Sequence, residues 1–374
     1  MPIILIPIAL YALYLLERWL FNRYWERGLS VNLQFDKEAV TEGEESSLTE
    51  VITNRNFIPL HILQVNFQTD VGLDFTDTSN ASVTDRVNVI DVFSLRFYEK
   101  ITRQLSMKCT KRGYYSILQT SISASDLFSS DIHYGNRQQQ TFLYVYPKLK
   151  HLDELDVIFN QLMGEVMSRR FLYEDNFTFR GIRDYAPTDP QSNINWKASA
   201  RSGGLKVNLH DYTASPKVKI ILNVDEPGIL YETELLEDCI RYALTLSSML
   251  IEKNIPVALL TNGKDKVTGE VIKLEAGASK GHLSSVRKAL ARIDLTSKKP
   301  ASIRKIIEEE LSSLSGVTVT YIYISTSRRD DSVYAADRLA KKDGKLMWLC
   351  PLTKDMNQAS PANAKIQFWP MIRS

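Results

Sequence analysis

Pro2 to Leu16 carries no charged side chain and is almost wholly apolar, and beyond Glu17-Arg18 the apolar character resumes at Trp19, Leu20 and Phe21. A bilayer-spanning helix needs about 20 such residues, or as few as roughly 17. Pro2 to Phe21 reaches this length with Glu17-Arg18 at the interface, so the pattern predicts one transmembrane anchor with a basic flank over residues 1–28. Tyr11, Tyr14, Trp19, Tyr24 and Trp25 are placed as interfacial anchors, and Arg18, Arg23 and Arg27 all follow the apolar run. By the positive-inside rule the rest of the chain faces the cytoplasm, as a single-pass protein of the inner (cytoplasmic) membrane. Nothing basic precedes the run and no small-residue cleavage site follows it, unlike a signal peptide.

From Leu29 to Pro147 the period changes to two. Leu29-Ser-Val-Asn-Leu-Gln-Phe, Ser47-Leu-Thr-Glu-Val-Ile, Ile62-Leu-Gln-Val-Asn-Phe and Thr141-Phe-Leu-Tyr-Val-Tyr alternate apolar and polar positions. Turn formers such as Glu42-Gly43-Glu44, Asn54-Arg55-Asn56 and Arg112-Gly113 separate them. Short strands at this spacing predict an antiparallel β-sandwich over residues 29–147.

Residues 148–215 read as a connector in which Leu155, Ile158, Phe159, Leu162, Val166 and Met167 recur at helical spacing. From 216 to 374 strands and helices alternate. Val218-Lys-Ile-Ile-Leu-Asn-Val, Val257-Ala-Leu-Leu-Thr, Val317 to Ser325 and Lys345 to Cys350 read as strands, and Val271 to Leu274 as an edge strand. Helical patterns cover 232–253, 280–292, 301–313 and 332–341. This alternation predicts a mostly parallel α/β sheet with helices on both faces.

Charge and cysteine content narrow the function. The 374 residues hold 46 basic and 44 acidic side chains, a net charge of +2, so no global field points to nucleic acid. Cys109, Cys239 and Cys350 are far apart and show no metal-ligand spacing, which fits a reducing compartment.

The densest group of functional residue types is Arg183 to Arg201, where the chain passes from its strand-rich to its alternating part. Arg183, Lys197 and Arg201 supply cations, Asp184 and Asp189 anions, Asn193 and Asn195 amides, Tyr185 and Trp196 aromatic faces. Pro187 and Pro190 bracket a rigid turn at Thr188-Asp189. A short helix begins near Ile194 with Asn193 as its cap, carries Lys197 and Arg201 at i,i+4, and ends at Gly203-Gly204. Two roles fit these types: an Arg–Asp network pinning the connector to the α/β domain, or a binding surface for a partner or anion. No Ser-His-Asp set, phosphate-binding P-loop or dinucleotide-binding glycine motif accompanies them.

The same stretch resembles the signature of the family called domain of unknown function 58, matching it at Arg183, Tyr185, Asp189, Ile194, Trp196, Ser199, Ala200 and Arg201. Thr188 stands where the family has Gly, and Ser192 or Asn193 where it has a basic residue. Lys111-Arg112-Gly113-Tyr114-Tyr115, Asp126-Leu127-Phe128 and Val145-Tyr146-Pro147 resemble further family landmarks in the same order. The resemblance implies a von Willebrand factor A-like fold for the C-terminal half and a partnership with MoxR-type AAA+ ATPases. It implies no enzyme activity, and the family's usual pair of N-terminal spans is here a single one.

A-like domains often hold Mg²⁺ after their first strand, where hard oxygen ligands converge. The corresponding segment here is Asn223-Val224-Asp225-Glu226-Pro227, with an amide for the first carboxylate and a proline for a hydroxyl. Asp225, Glu226 and Asn223 are therefore weak ligand candidates, and the expectation is an acidic rim without metal or other cofactor that, with Thr261-Asn262-Gly263, contacts protein. The function expected is a membrane-tethered, non-enzymatic scaffold working with the ATPase in protein remodelling or maturation. The alternatives are a hydrolase or transferase using Asp184, Asp189 and Lys197, and an adhesion-type receptor.

Overall fold

Strand β1 (Leu29–Phe35) buries Leu29, Val31, Leu33 and Phe35 and exposes the residues between them, so one face of the period-two pattern becomes core. The structure is a computed structural model. It describes the chain apart from residues 1, 77–80, 84–85, 151–152, 173, 188, 190, 213–216, 227–232, 297–298, 314–318, 344–345, 357–360, 362 and 374. The chain divides into two compact units, Met1–Lys148 and Leu149–Ser374, in a mixed α/β architecture.

The first unit starts with helix α1 (Pro2–Tyr24) and β1. There follow β2 (Ala39–Thr41), β3 (Glu45–Asn54), β4 (Leu60–Asp70), β5 (Leu73–Phe75), β6 (Ala81–Val83), β7 (Arg86–Leu95), β8 (Lys100–Cys109), β9 (Gly113–Ser125) and β10 (Ile132–Tyr146). They form a four-stranded sheet, β1-β3-β8-β5, and a six-stranded sheet, β2-β10-β9-β4-β7-β6. All pairings are antiparallel except β2 on β10. Side chains of both sheets share a core. The Lys111–Tyr115 landmark has a local reason: the Tyr115 hydroxyl donates to the Lys111 carbonyl at 2.8 Å. Gly72, at φ +131, lies so close that a Cβ there would stand 2.2 Å from that hydroxyl oxygen.

The sandwich core is split by a polar layer. Leu48, Val89 and Leu105 belong to one apolar cluster and Ile52 and Phe93 to another, with Ile101 packed against the second. Between them, at the same inward phase of β3, β7 and β8, stand Glu50, Asp91 and Arg103. Arg103 pairs with Asp91, which is fully buried. Burial pushes the Glu50 carboxyl from its ordinary 4.5 up to about 8; the neighbouring Asp91 charge adds to the rise and Arg103 opposes it.

The expected transmembrane anchor is not borne out: among the described residues no helix is long and apolar enough to cross a membrane. The reason is that the C-terminal half of α1 belongs to the sandwich. Glu17, Arg18 and Arg23 interrupt its apolar surface. Arg18 pairs with Asp131 at 2.6 Å, Glu17 accepts from the Leu127 amide, and Phe21 and Trp25 are buried in the sandwich core.

The second unit contains α2 (Asp153–Leu172), β11 (Glu174–Asp184), a turn of 3-10 helix at Gln191–Asn193, α3 (Trp196–Ser202), β12 (Lys206–Tyr212) and β13 (Lys217–Asn223). It continues with α4 (Thr233–Glu252), β14 (Val257–Asp265), β15 (Val271–Gly277), α5 (Lys280–Arg292), β16 (Ile293–Asp294), α6 (Ile303–Ser313), β17 (Val319–Ser325), α7 (Asp330–Asp343), β18 (Leu346–Leu352) and β19 (Ile366–Ile372). The main sheet runs β15-β14-β13-β17-β18-β19, parallel except for β15 at its edge, with β16 beside β14. Its inner strands are apolar on both faces, because α2, α4 and α5 cover one side and α6 and α7 the other. The helix in the connector is thus part of this core, through Leu155, Ile158, Leu162 and Val166. β19 extends the sheet one strand beyond the last strand expected.

Candidate functional site

Two groups of residues carry the candidate chemistry. The first is the Arg183–Arg201 stretch, which β11 and β12 hold as neighbouring antiparallel strands with α3 between them in sequence. Arg183 binds Asp189 in bidentate fashion, at 2.7 and 2.6 Å, and the Ala186 amide donates to the same carboxylate. These bonds, led by the one from Arg183, hold the Asp189 carboxyl below its ordinary range. Asp184 is largely exposed and pairs with Lys206 at 2.5 Å. Thr188 and Pro190 lie outside the described residues.

Asn195, rather than Asn193, caps α3: its Oδ1 accepts from the Ala198 amide at 2.9 Å. Its Nδ2 donates to Asn208 on β12, and its backbone amide donates to the Lys206 carbonyl. Ser199 adds a second fastening, accepting from the Lys206 amide while donating to the Asn195 carbonyl, both at 2.8 Å. The Tyr185 amide donates to the Leu205 carbonyl. Gly203, at φ +70, closes the helix as the sequence implies.

The motif therefore divides by direction. Arg183, Asp189, Asn195 and Ser199 build the turn and tie α3 to β12. Trp196, Lys197 and Arg201 face outward, with Trp196 68% exposed. Lys197 and Arg201 line a shallow depression of about 460 Å³ together with Ile182 and Lys206. Neither Lys197 nor Arg201 has an ion-pair partner among the described residues. An acidic or amphipathic segment can be received here. Asp189, bound by Arg183 and held ionised, is poorly suited to donate a proton.

The second group lies at the carboxyl ends of β13, β14 and β17. In this sheet the chain leaves β13 toward β14 on one side and leaves the adjacent β17 toward β18 on the other, and such a divergence between neighbouring strands is the place where open α/β sheets gather ligands. Asn223 and Asn262 are fully buried. Asn262 Nδ2 donates to Asn223 Oδ1 at 2.8 Å and to Asp225 Oδ1 at 2.9 Å, while its Oδ1 accepts from the Val224 amide. Asn223 Nδ2 in turn faces the hydroxyls of Tyr323, Ser325 and Ser332 at 3.0 to 3.3 Å. Burial raises the Asp225 carboxyl to about 6; the nearby Asp331 charge adds to this, and hydrogen bonds from Asn262 and Asn223 counter it. Glu226 is exposed, and Pro227 lies outside the described residues.

This donor set does not fit Mg²⁺. An amide N–H points at the two oxygens that would have to converge on a cation, and a second amide engages the hydroxyls. Sequence reasoning found Asn223, Asp225 and Asn262 but missed Tyr323 and Ser332. Tyr323 sits in a fully buried β-branched run, where a phenol reads as core, and Ser332 is the third residue of α7.

No family model matches the chain, and no curated protein matches it. Among solved structures, the chain is similar to the conserved hypothetical protein BatB from Bacteroides thetaiotaomicron, at 19% identity over 40% of this chain and 73% of that one, with a TM-score of 0.28. It is similar to the C-terminal domain of wzt at 12% identity, over 33% and 75% of the two chains, with a TM-score of 0.23. A non-cellulosomal cohesin from Archaeoglobus fulgidus gives 9% identity over 34% and 97%, with a TM-score of 0.21. Scores this low carry no functional argument.

Proposed function

We propose that the protein is a membrane-tethered scaffold without catalytic activity of its own, which presents its α/β unit to a MoxR-type AAA+ ATPase or that ATPase's client in protein remodelling or maturation. One observation carries the tether. The N-terminal half of α1 is apolar and solvent-exposed, while its C-terminal half is fastened to the sandwich through Arg18 and Phe21, with Trp25 buried just past its end. Arg23 and Arg27 follow the apolar stretch and suit the anionic headgroups of the inner membrane's cytoplasmic leaflet.

The resemblance of the Arg183–Arg201 stretch is what names an AAA+ ATPase as partner. The α/β unit is read as von Willebrand factor A-like from its six main strands, five parallel and one antiparallel at the edge. Its amide-locked switch point favours contact with protein over metal chemistry. The exposed Trp196, Lys197 and Arg201 offer a second contact, with the aromatic and arginine types that anchor interfaces. Fractionating native cells tests the tether: the chain is expected in the membrane fraction and to be released by detergent. A chain found in the soluble fraction would overturn it.

A further inference from the structure

The strand ends at one end of the sandwich are in register. Leu29 pairs with Asn54, Thr53 with Lys100, Leu60 with Leu95, and Ser125 with both Ile62 and Ile132. The β3–β4, β7–β8 and β9–β10 loops therefore share that end, and α1 packs among them. The Tyr24 and Phe57 rings lie 5.8 Å apart and tilted, Tyr14 meets Phe128 edge-on at 5.4 Å, and Leu13, Leu16 and Leu20 line a pocket with Phe57 and Leu127.

These loops turn large apolar side chains into solvent: Phe57 is 53% exposed, Phe97 63%, Tyr98 71%, Leu127 52% and Phe128 56%. The loops are well braced. The Tyr98 amide donates to the Asn56 carbonyl and the Asn54 side chain to the Arg96 carbonyl. Tyr98 holds φ at +56, a conformation a bulky residue adopts only under constraint. Arg23, Arg55 and Arg96 are exposed beside them, and none has an ion-pair partner among the described residues.

We propose that α1 and this ring of loops form one membrane-contacting end whose loops seat at the headgroup level of an anionic membrane surface. The inference rests on the tethered reading above and adds the surface, the depth and the lipid charge. A protein groove covers one stripe of a helix, whereas Ile6, Ile8, Leu10, Tyr11, Leu13 and Leu16 are each 52 to 64% exposed and point all around the axis. Lipid can cover such a surface on every side. Leu13 is the outermost α1 residue lining the junction with the loops. Beyond it Ile6, Ile8, Leu10 and Tyr11 remain exposed, apolar surface suited to enter the hydrocarbon past the headgroups. Aromatic side chains and arginines at the base then meet the headgroups, where amphipathic rings and cations are favoured.

The test uses the whole chain and vesicles of phosphatidylcholine with about 30% phosphatidylglycerol, a composition chosen to give anionic surface charge. The three native cysteines are buried, so an environment-sensitive fluorophore is placed by Tyr98→Cys, with Leu118→Cys in the middle of β9 as control. Brominated lipid quenches tryptophan, and the part of the quenching lost in Trp19→Phe reports on Trp19 of α1. The expected result is a blue shift at position 98 that weakens without phosphatidylglycerol, no shift at 118, and quenching of Trp19. Phe97→Ser with Tyr98→Ser should lower vesicle partition roughly tenfold. Quenching of Trp19 with no shift at 98 overturns the loop surface and leaves the tether standing. Neither signal overturns both. A shift at 98 in native membranes but not in pure lipid makes the occupant a protein and also overturns the proposal.

Discussion

Glu50 and Arg103 lie directly opposite each other on β3 and β8, yet Arg103 gives its guanidinium to Asp91 on β7, and both Glu50 oxygens are buried without a hydrogen-bond partner among the described residues. A carboxyl in that position is tolerated in its neutral form.

Stability should therefore depend on pH in a definite direction. The folded state holds the Glu50 proton up to about 8 and the unfolded chain releases it near 4.5, so stability declines as pH rises through that window. Replacing Glu50 with Gln removes the effect. Thermal unfolding of E50Q and wild type should coincide most closely near pH 5 and diverge by pH 8.5, with E50Q more stable by on the order of 4 kcal/mol. Parallel curves would refute this.

At the switch point, Asn262→Ala removes the donor to Asp225 and the acceptor of the Val224 amide. Leaving these buried groups unpaired should cost about 1–3 kcal/mol each, read by urea unfolding. Calorimetric titration of the whole chain with Mg²⁺ or Mn²⁺ should show no binding in wild type or in Asp225→Ala. Micromolar binding abolished by Asp225→Ala would contradict the amide-locked reading.

Gly72→Ala combines a positive φ with a Cβ driven into the Tyr115 hydroxyl. A loss of at least about 2 kcal/mol is expected from the strained backbone and the clash. Tyr115→Phe, which removes the hydroxyl that donates to the Lys111 carbonyl, should lose about 1 kcal/mol. If the two variants were equally stable, the close approach would not matter.

Reversing the outward charges of α3 with Lys197→Glu and Arg201→Glu should leave stability within about 0.5 kcal/mol, as for other exposed positions. The same variant should weaken capture of the protein partner. A large loss of stability would mean that these side chains brace the fold.

Much of the fold was legible because burial obeys simple periods. The alternation of Leu29 to Phe35 gave β1, and the apolar run at Val218 to Leu222, broken only by Lys219, gave a strand covered on both faces. The expected anchor was drawn through to Phe21 because hydropathy alone does not show that Phe21 and Trp25 face a protein core. β11 and β12 were missed because their short ribbon carries polar and charged residues where a buried strand would not. The polar layer had a signal: Glu50 stands midway between Leu48 and Ile52, at the inward phase of its own strand. In the candidate site, residue types identified the Arg183–Asp189 pair. Which of Asn193 and Asn195 caps α3 depended on where the 3-10 turn ended.

A tethered scaffold with an ATPase partner is tested most directly by affinity capture of the chain from detergent-solubilised native membranes, followed by mass spectrometry. Recovery of a MoxR-type AAA+ ATPase, reduced when Lys197 and Arg201 are replaced by Glu, is the expected result. Capture from membranes with no AAA+ ATPase present would contradict it.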